Sequence, residues 1–295
     1  MNSPLFKIVD LKKPARVFDY IVENTSVILP SKSAIKKAFK KKQIYVNGII
    51  AKTGDWLKLG DDVVYIVEDF EQQKVFPLQL DVLFEDEFIA VINKPAGYSV
   101  SGNFHKTIQN ALLHNLSVSS EKDLLSVPRP LHRLDKLTTG ILLVAKTKSA
   151  QLNLSKQFEL QKVSKTYYAI VKGKLEGEGV FESPIEGLSS STEYKSLKVE
   201  KSLSYGFVSL IELKPITGRT HQIRIHLAIA GHPIIGDYEH DTENVLKGKG
   251  LFLAACKVNF AHPVSSNSVF FELPIPNKYE SLFERELRRW DKFKS

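Results

Sequence analysis

LHRLDKLTTGILLVAK, residues 131–146, is the stretch from which the rest of the chain is read. Arg133 stands two residues before an acid, Asp135; a turn is expected at Thr139-Gly140, and the chain then enters the apolar run Ile141–Ala145. Such a run, bounded by Gly140 and Lys146, reads as a buried strand. A carboxylate on a loop that feeds a buried strand is held rigidly beside an apolar pocket, as a nucleophile or general base requires. A lone Asp at such a place would be an ordinary turn-capping residue. The rest of the chain decides between these.

With 295 residues, about two domains are expected. A hydrophobic share of 43% beside 25% charged residues excludes a disordered chain. No apolar run approaches the roughly 20 residues that cross a bilayer, and the opening MNSPLFKIVDLKKP lacks the marks of a secretory signal, so no membrane is expected. The single cysteine, Cys256, cannot form an internal disulfide; it sits in the apolar LFLAACKV and reads as an inert core thiol in a reducing cytoplasm.

The net charge of +8 is unevenly spread, and between Ser31 and Lys42 there are six lysines and no acid. Residues 14–69 read as a small module. Val17, Tyr20 and Ile21 suggest one helix, and Ile35, Ala38 and Phe39 repeat at helical spacing in a second. Lys32, Lys36, Lys40, Lys37 and Lys41 fall off that apolar stripe. A solvated helix face normally mixes signs; this one does not, and a polyanion such as RNA is the expected partner. Short strands follow at Gln43–Val46, Ile49–Ala51 and Val63–Val67, with Asn47-Gly48 as a tight turn.

Residues 70–81 read as a linker, and 82–295 as a second domain. Strands are expected at Val82–Phe84, Phe88–Asn93, Lys165–Val171 and Phe207–Leu213. Helices are expected near Ile108–Leu116, at Ala150–Glu159, and at Tyr279–Phe293 with Phe283, Leu287 and Trp290 on its packing face. Ser99–Arg129 outside its helix, and Glu176–Ser204, read as irregular, the latter as a mobile excursion. Strands and helices interleave without a βαβ rhythm, so the fold class is α+β, with a mixed, mostly antiparallel sheet and flanking helices.

A second informative segment is GRTHQIRIHLAIAGHPIIGD, residues 218–237. Thr217 or Thr220 can cap a helix that ends at Gly231, with Ile225, Ala228 and Ile229 as its packing stripe and His221, Arg224 and Ala228 sharing another face. His221 and His226 are five apart rather than the four of zinc helices, so no metal is expected. Arg224 is either a surface residue or a buried cation in need of an anion, and Asp135 is one candidate. Phosphate-loop, dinucleotide and nucleophile-elbow motifs are absent from the sequence, and no cofactor is implied.

NKPAG (93–97), HRLDKLTTG (132–140), KTYYAIVKG (165–173) and the segment 218–237 stand in the order seen in RluA-type RNA pseudouridine synthases, which this chain resembles from about residue 84 to 275. Its first module resembles the S-four type of RNA-binding domain through SKSAIKKAFKKKQIYVNG and LKLGDDV. The resemblance implies a cofactor-free and metal-free isomerase. Asp135 would be the catalytic aspartate, Tyr167 the tyrosine that stacks on the base and serves the later proton removal, and Arg224 the basic partner of the acid. Arg133 would enter the RNA where the target leaves the stack. His132 and Leu253 would lie near the base, and Lys32, Lys36, Lys37 and Lys41 on RNA backbone. Thr139 stands where the family commonly has Ser, and Leu253-Ala254-Ala255 where it often has Leu-His-Ala; neither departure touches the acid, the tyrosine or the arginine.

The implied activity is conversion of uridine to pseudouridine, with large-subunit ribosomal RNA the expected target, transfer RNA left open, and a monomer the default. Whether the carboxylate attacks the sugar or removes a proton to give a glycal is open. The alternative is a non-catalytic RNA-binding or ribosome-assembly factor on the same scaffold. A base-hydrolysing glycosidase ranks last, because such enzymes usually pair two carboxylates.

Overall fold

The chain divides into two units, residues 1–73 and 74–295. The computed structural model describes residues 4–7, 14–24, 29, 31–65, 75–241 and 248–294.

The first unit contains β1 (Pro4–Lys7), helices α1 (Val17–Asn24) and α2 (Lys32–Lys40), and strands β2 (Ile44–Val46), β3 (Ile49–Ile50) and β4 (Asp62–Tyr65). The strands form an antiparallel sheet in the order β1-β4-β2-β3. Ser31 starts α2 by accepting the Ala34 N–H on its hydroxyl at 3.1 Å. Ile35, Ala38 and Phe39 then pack with Val17, Ile21 and Ile44 in a small core, while Lys32, Lys36, Lys37, Lys40 and Lys41 are exposed. Asn47 and Gly48 both take positive φ, 50° and 80°, as a tight hairpin between β2 and β3 requires. The unit starts upstream of Pro14, because β1 pairs with β4. Four residues are too few to carry a strand pattern of their own. The expected strand end at 66–67 and the linker residues 70–74 lie outside the described residues. Of the remaining linker, Leu80 is buried, and Phe76 and Leu78 pack on the core of the second unit.

The second unit runs β5 (Asp81–Glu85), β6 (Ile89–Lys94), α3 (Ile108–Asn115), β7 (Leu124–Pro130), β8 (Thr139–Thr147), α4 (Lys148–Glu159) and β9 (Ser164–Lys172). It continues with β10 (Glu178–Phe181), β11 (Thr192–Ser202), β12 (Gly206–Pro215), α5 (Gln222–Ile229), β13 (Leu253–Ala261), β14 (Ser268–Glu272) and α6 (Lys278–Lys294). The main path of the sheet is β10-β11-β12-β9-β13-β8-β6-β5, with β14 added at β13 and β7 at β8. β8 and β13 are parallel; the other strand pairs are antiparallel, so the sheet is mixed and mostly antiparallel.

The apolar run of β8 is legible in this frame. Leu142 and Val144 face one core with Ala90 and Ile92 of β6 and with α3 and α6. Ile141, Leu143 and Ala145 face the other, with Ile89, Val91 and residues of α4. A strand covered on both faces has no polar side to show. Each large side chain so buried contributes roughly 1.5–3 kcal/mol.

Two irregular expectations fail. Leu124–Pro130 is a strand, and the expected excursion 176–204 contains β10 and the eleven residues of β11, paired along β12 with a bulge between Ser196 and Lys198. β11 is rich in charged residues and mostly half-buried or exposed, so hydropathy alone resembles a loop; the long ladder with β12 decides it. On α6 the buried residues are Tyr279, Leu282, Phe283 and Glu286, while Leu287, expected to pack, is exposed. Glu286 accepts the Ser202 hydroxyl at 2.7 Å, which rotates the helix so that an acid occupies the packing face. Among the described residues no helix is long and apolar enough to cross a membrane.

Candidate functional site

Asp135 lies on the loop between β7 and β8, and that loop is tied down at several points. Leu131 N–H donates to Leu143 O at 2.9 Å, and Leu143 N–H donates back to His132 Nε2 at 3.1 Å. Gly97 N–H donates to Lys136 O at 2.8 Å. The fully buried Lys94 ammonium donates to Pro95 O at 3.0 Å, to Lys136 O at 3.3 Å and to Thr138 O at 2.8 Å. Burial pushes the Lys94 amine down to about 8, against the pull of Asp135. A buried charge with three carbonyl acceptors therefore pins the backbone just after the acid to the turn at Pro95. At the other end Gly140 has φ +115°, and a Cβ there would overlap the Ala255 carbonyl, so only glycine lets β8 pass this close to β13.

Arg224 projects from α5. Its side chain is only 4% exposed, which settles the choice left open by the sequence in favour of a buried cation. Its nearest anion is Asp237, bound from Nε and Nη2 at 2.7 Å each; Glu239 follows at 2.8 Å, and Asp135 at 3.4 Å from Nη1. Burial works against the charged form, but the bonds from Asp237 and Glu239 outweigh it and hold Arg224 above the ordinary arginine value. Asp237 is held below its ordinary value, since the Arg224 bond overcomes its own burial. Arg224 thus reaches Asp135 as an arm whose direction is set by Asp237.

The expected start of α5 is corrected. The residue at its N-terminal cap is His221, in the left-handed conformation at φ 53°, rather than Thr217 or Thr220. Thr217 instead donates to Gln222 Oε1 at 2.6 Å. The packing stripe is also corrected: Ile223 and Leu227 are buried and Ile229 is exposed. Burying Arg224 against Asp237 turns the helix away from the stripe that hydropathy favours. Gly231, with φ 77°, follows its last turn as expected.

One cavity of about 630 Å³ is lined by Asp135, Tyr167, Arg224, Arg133, His132 and Leu253. Asp135 is 27% exposed, open enough to meet a substrate. Tyr167, on β9, is 8% exposed, and burial, then the Asp135 charge, raises its phenol above the ordinary tyrosine value, so the ring is neutral. His132 rests against the Phe158 ring at 5.2 Å between centroids. Burial, then the Lys165 charge, pushes its imidazole down to about 3. Leu253 opens β13 opposite Ala169 of β9. Lys32, Lys36, Lys37 and Lys41 line no part of this cavity; they belong to the first unit.

Several site residues lie outside the expected set. Lys94 was visible in NKPAG only as part of a turn, and Asp237 only as the last residue of its segment. Lys165 stands two residues before Tyr167 on β9, so both side chains share a strand face, and both line the cavity. Burial lowers the Lys165 ammonium, and among the described residues no carboxylate pairs with it. The alternation of KTYYAIV held that signal.

Residues 88–229 match the family model described as RNA pseudouridylate synthase. An uncharacterized RNA pseudouridine synthase of Aquifex aeolicus is 34% identical, with 86% of this chain and 88% of that protein covered. Ribosomal large subunit pseudouridine synthase D of Nitrosomonas europaea is 32% identical, over 86% and 80%. Among solved structures, human RNA pseudouridylate synthase domain containing 1 superposes with a TM-score of 0.55 at 24% identity, covering 66% of this chain and 83% of that one.

Proposed function

The chain belongs to the RNA pseudouridine synthase family and is an isomerase acting on RNA, and from that premise we propose that it converts uridines of large-subunit ribosomal RNA to pseudouridine with Asp135 as the reacting acid. The observation that carries the reading is a half-open carboxylate on a loop clamped by Lys94, beside a buried guanidinium and a neutral tyrosine in one cavity. Uridine and pseudouridine are isomers, so no oxidant, reductant or group donor is needed. The bond from the ribose anomeric carbon to N1 breaks, the uracil turns, and a bond forms to C5; N1 gains a proton and C5 loses one. Asp135 either holds the sugar covalently or takes its proton to give a glycal. Arg224 aims the acid, and Tyr167 stacks on the base and serves the proton that leaves C5.

The target nucleotide must leave its stack, at a few kcal/mol, which stacking on Tyr167 and insertion of Arg133 offset. Leu253 and His132 shape the apolar side of the pocket. Lys165, which lacks a carboxylate partner among the described residues, meets a phosphate of the RNA backbone. The first unit acts as an S-four-like module, its α2 lysines on further phosphates. One chain supplies every residue of the proposed site, so the reading needs no second copy. The ribosomal names of relatives favour ribosomal over transfer RNA, and the buried single Cys256 suits a reducing cytoplasm. No observation favours the non-catalytic alternative.

The test is tritium release from uridine labelled at C5 in RNA, followed by mapping of the modified position. Wild type should release tritium, and Asp135→Asn should release none while RNA affinity stays within about twofold, since it keeps the shape of the pocket and removes only the charge. Normal release by Asp135→Asn would sink the assignment.

A further inference from the structure

At the wall of the cavity, where His221 is a lining residue, three ligand-type groups converge to which the proposed isomerisation assigns no role. His221 Nδ1 lies 3.1 Å from His240 Nε2 and 3.6 Å from Glu239 Oε1. The ligating atoms of the three groups all lie within 4.8 Å of one another. In a tetrahedral zinc site, bonds of roughly 2.0–2.1 Å put neighbouring donors about 3.3 Å apart. The two measured edges straddle that separation. We propose that His221, Glu239 and His240 form a binding site for a divalent transition-metal ion, zinc above all, at the mouth of the catalytic cavity, and that its occupation inhibits the isomerase.

Glu239 is oriented from behind, His221 faces an acid with its second nitrogen, and His240 is fixed at its backbone. Glu239 offers Oε1 to the site while its Oε2 accepts from Arg224 at 2.8 Å. His221 turns its second nitrogen, Nε2, toward Asp135 Oδ1 at 3.7 Å. The His240 backbone N–H is held by Asp237 Oδ1 at 3.2 Å. The surroundings attract a cation, with Asp135, Asp237 and Glu239 set against Arg224. Two imidazoles and one carboxylate suit zinc, nickel or copper, whereas magnesium and calcium prefer all-oxygen sets. The Glu239 side chain is 61% exposed, so an ion can enter from solvent.

The inhibitory half rests on the reading of Asp135 as the reacting acid. A metal on His221 Nδ1 leaves the ring proton on Nε2, the nitrogen that faces Asp135. That fixes an N–H donor 3.7 Å from a carboxylate oxygen needed at the ribose.

The experiment uses the full-length protein with any affinity tag removed, stripped by chelator. It is titrated with Co²⁺, read by the visible absorption of the four-coordinate ion, and with Zn²⁺ by calorimetry. Wild type should take up one equivalent. His240→Ala should bind more than about tenfold more weakly, because even partners that only orient metal ligands are worth that much. Asp135→Asn keeps all three ligands and should still bind. Stoichiometric zinc should suppress tritium release by wild type and leave His240→Ala turning over. A metal-free melting curve for His240→Ala matching wild type checks its fold, and His240→Gln serves if it does not. Absence of saturable uptake, or uptake indifferent to His240, overturns the site. Uptake without inhibition overturns the regulatory role. Turnover in chelator reports the isomerase reading separately, since the Co²⁺ spectrum needs no catalysis.

Discussion

Lys165 and His132 share one wall of the cavity, and each lets its environment be tested by a single substitution. In the proposed reading Lys165, which lines the pocket with no carboxylate partner among the described residues, meets a phosphate. A charge-assisted hydrogen bond is worth about 1.5–3 kcal/mol. Lys165→Met should therefore raise KM for RNA by roughly ten- to a hundredfold, flatten the log–log salt dependence by about one phosphate contact, and leave single-turnover kcat at saturating RNA within a few-fold. An unchanged KM would remove the phosphate role. His132 is neutral because burial and the neighbouring Lys165 charge depress its value to about 3, against 6.5 for an ordinary histidine. Between those values the unfolded chain binds the proton and the folded chain does not. Stability thus rises with pH across the window and is lost as pH falls from about 6.5 toward 3. His132→Gln should shed that part of the acid sensitivity, seen as a shallower fall of Tm between pH 6.5 and pH 4.

β8 and α5 show how an element places chemistry at its end. β8 is held from both faces and joined to β13 through the parallel pairs Ala254–Thr139 and Ala255–Gly140, so the loop before it begins from a fixed point. Gly140→Ala would force a Cβ onto the Ala255 carbonyl and an L side chain into φ +115°. We expect a loss of more than about 3 kcal/mol, or no soluble protein, because the strand cannot retreat from a backbone atom. Chemical denaturation measures it; a wild-type midpoint would contradict the close approach. α5 makes the complementary point. Its hydropathy favours burying Ile229, yet the helix buries Arg224, because a guanidinium held by Asp237 at two atoms has lost the penalty that would otherwise keep it at the surface.

Across the whole molecule, affinity and chemistry fall to different units in the proposed reading. The second unit holds the cavity, and the first presents the exposed lysines of α2. Replacing Lys36, Lys37 and Lys41 together by Ala should weaken RNA binding and flatten its salt slope by about two to three, at roughly 0.7–0.9 per phosphate contact. Single-turnover rate at saturating RNA should stay near wild type. Filter binding across a salt series decides it, and an unaltered slope would detach α2 from the RNA.

Much of this was legible in the sequence because it is local. The apolar run that makes β8, the lysine face of α2, and the loop bearing Asp135 rest on neighbours a few residues away. The motif order around Asp135, Tyr167 and Arg224 was likewise readable, and with it the family. What only the tertiary structure decided depends on partners far apart in the chain. β11 reads as a polar excursion until β12 supplies its ladder, β1 is invisible without β4, and Glu286 faces the core only because Ser202 meets it. The same holds in the cavity. Lys94 reaches carbonyls more than forty residues on, and Asp237 rather than Asp135 is the first partner of Arg224. His221 finds its neighbours in Glu239 and His240, beyond the helix that it caps. Hydropathy and spacing report the cost of exposing a residue; they are silent on which distant group removes the cost of burying one, and that pairing is what builds this site.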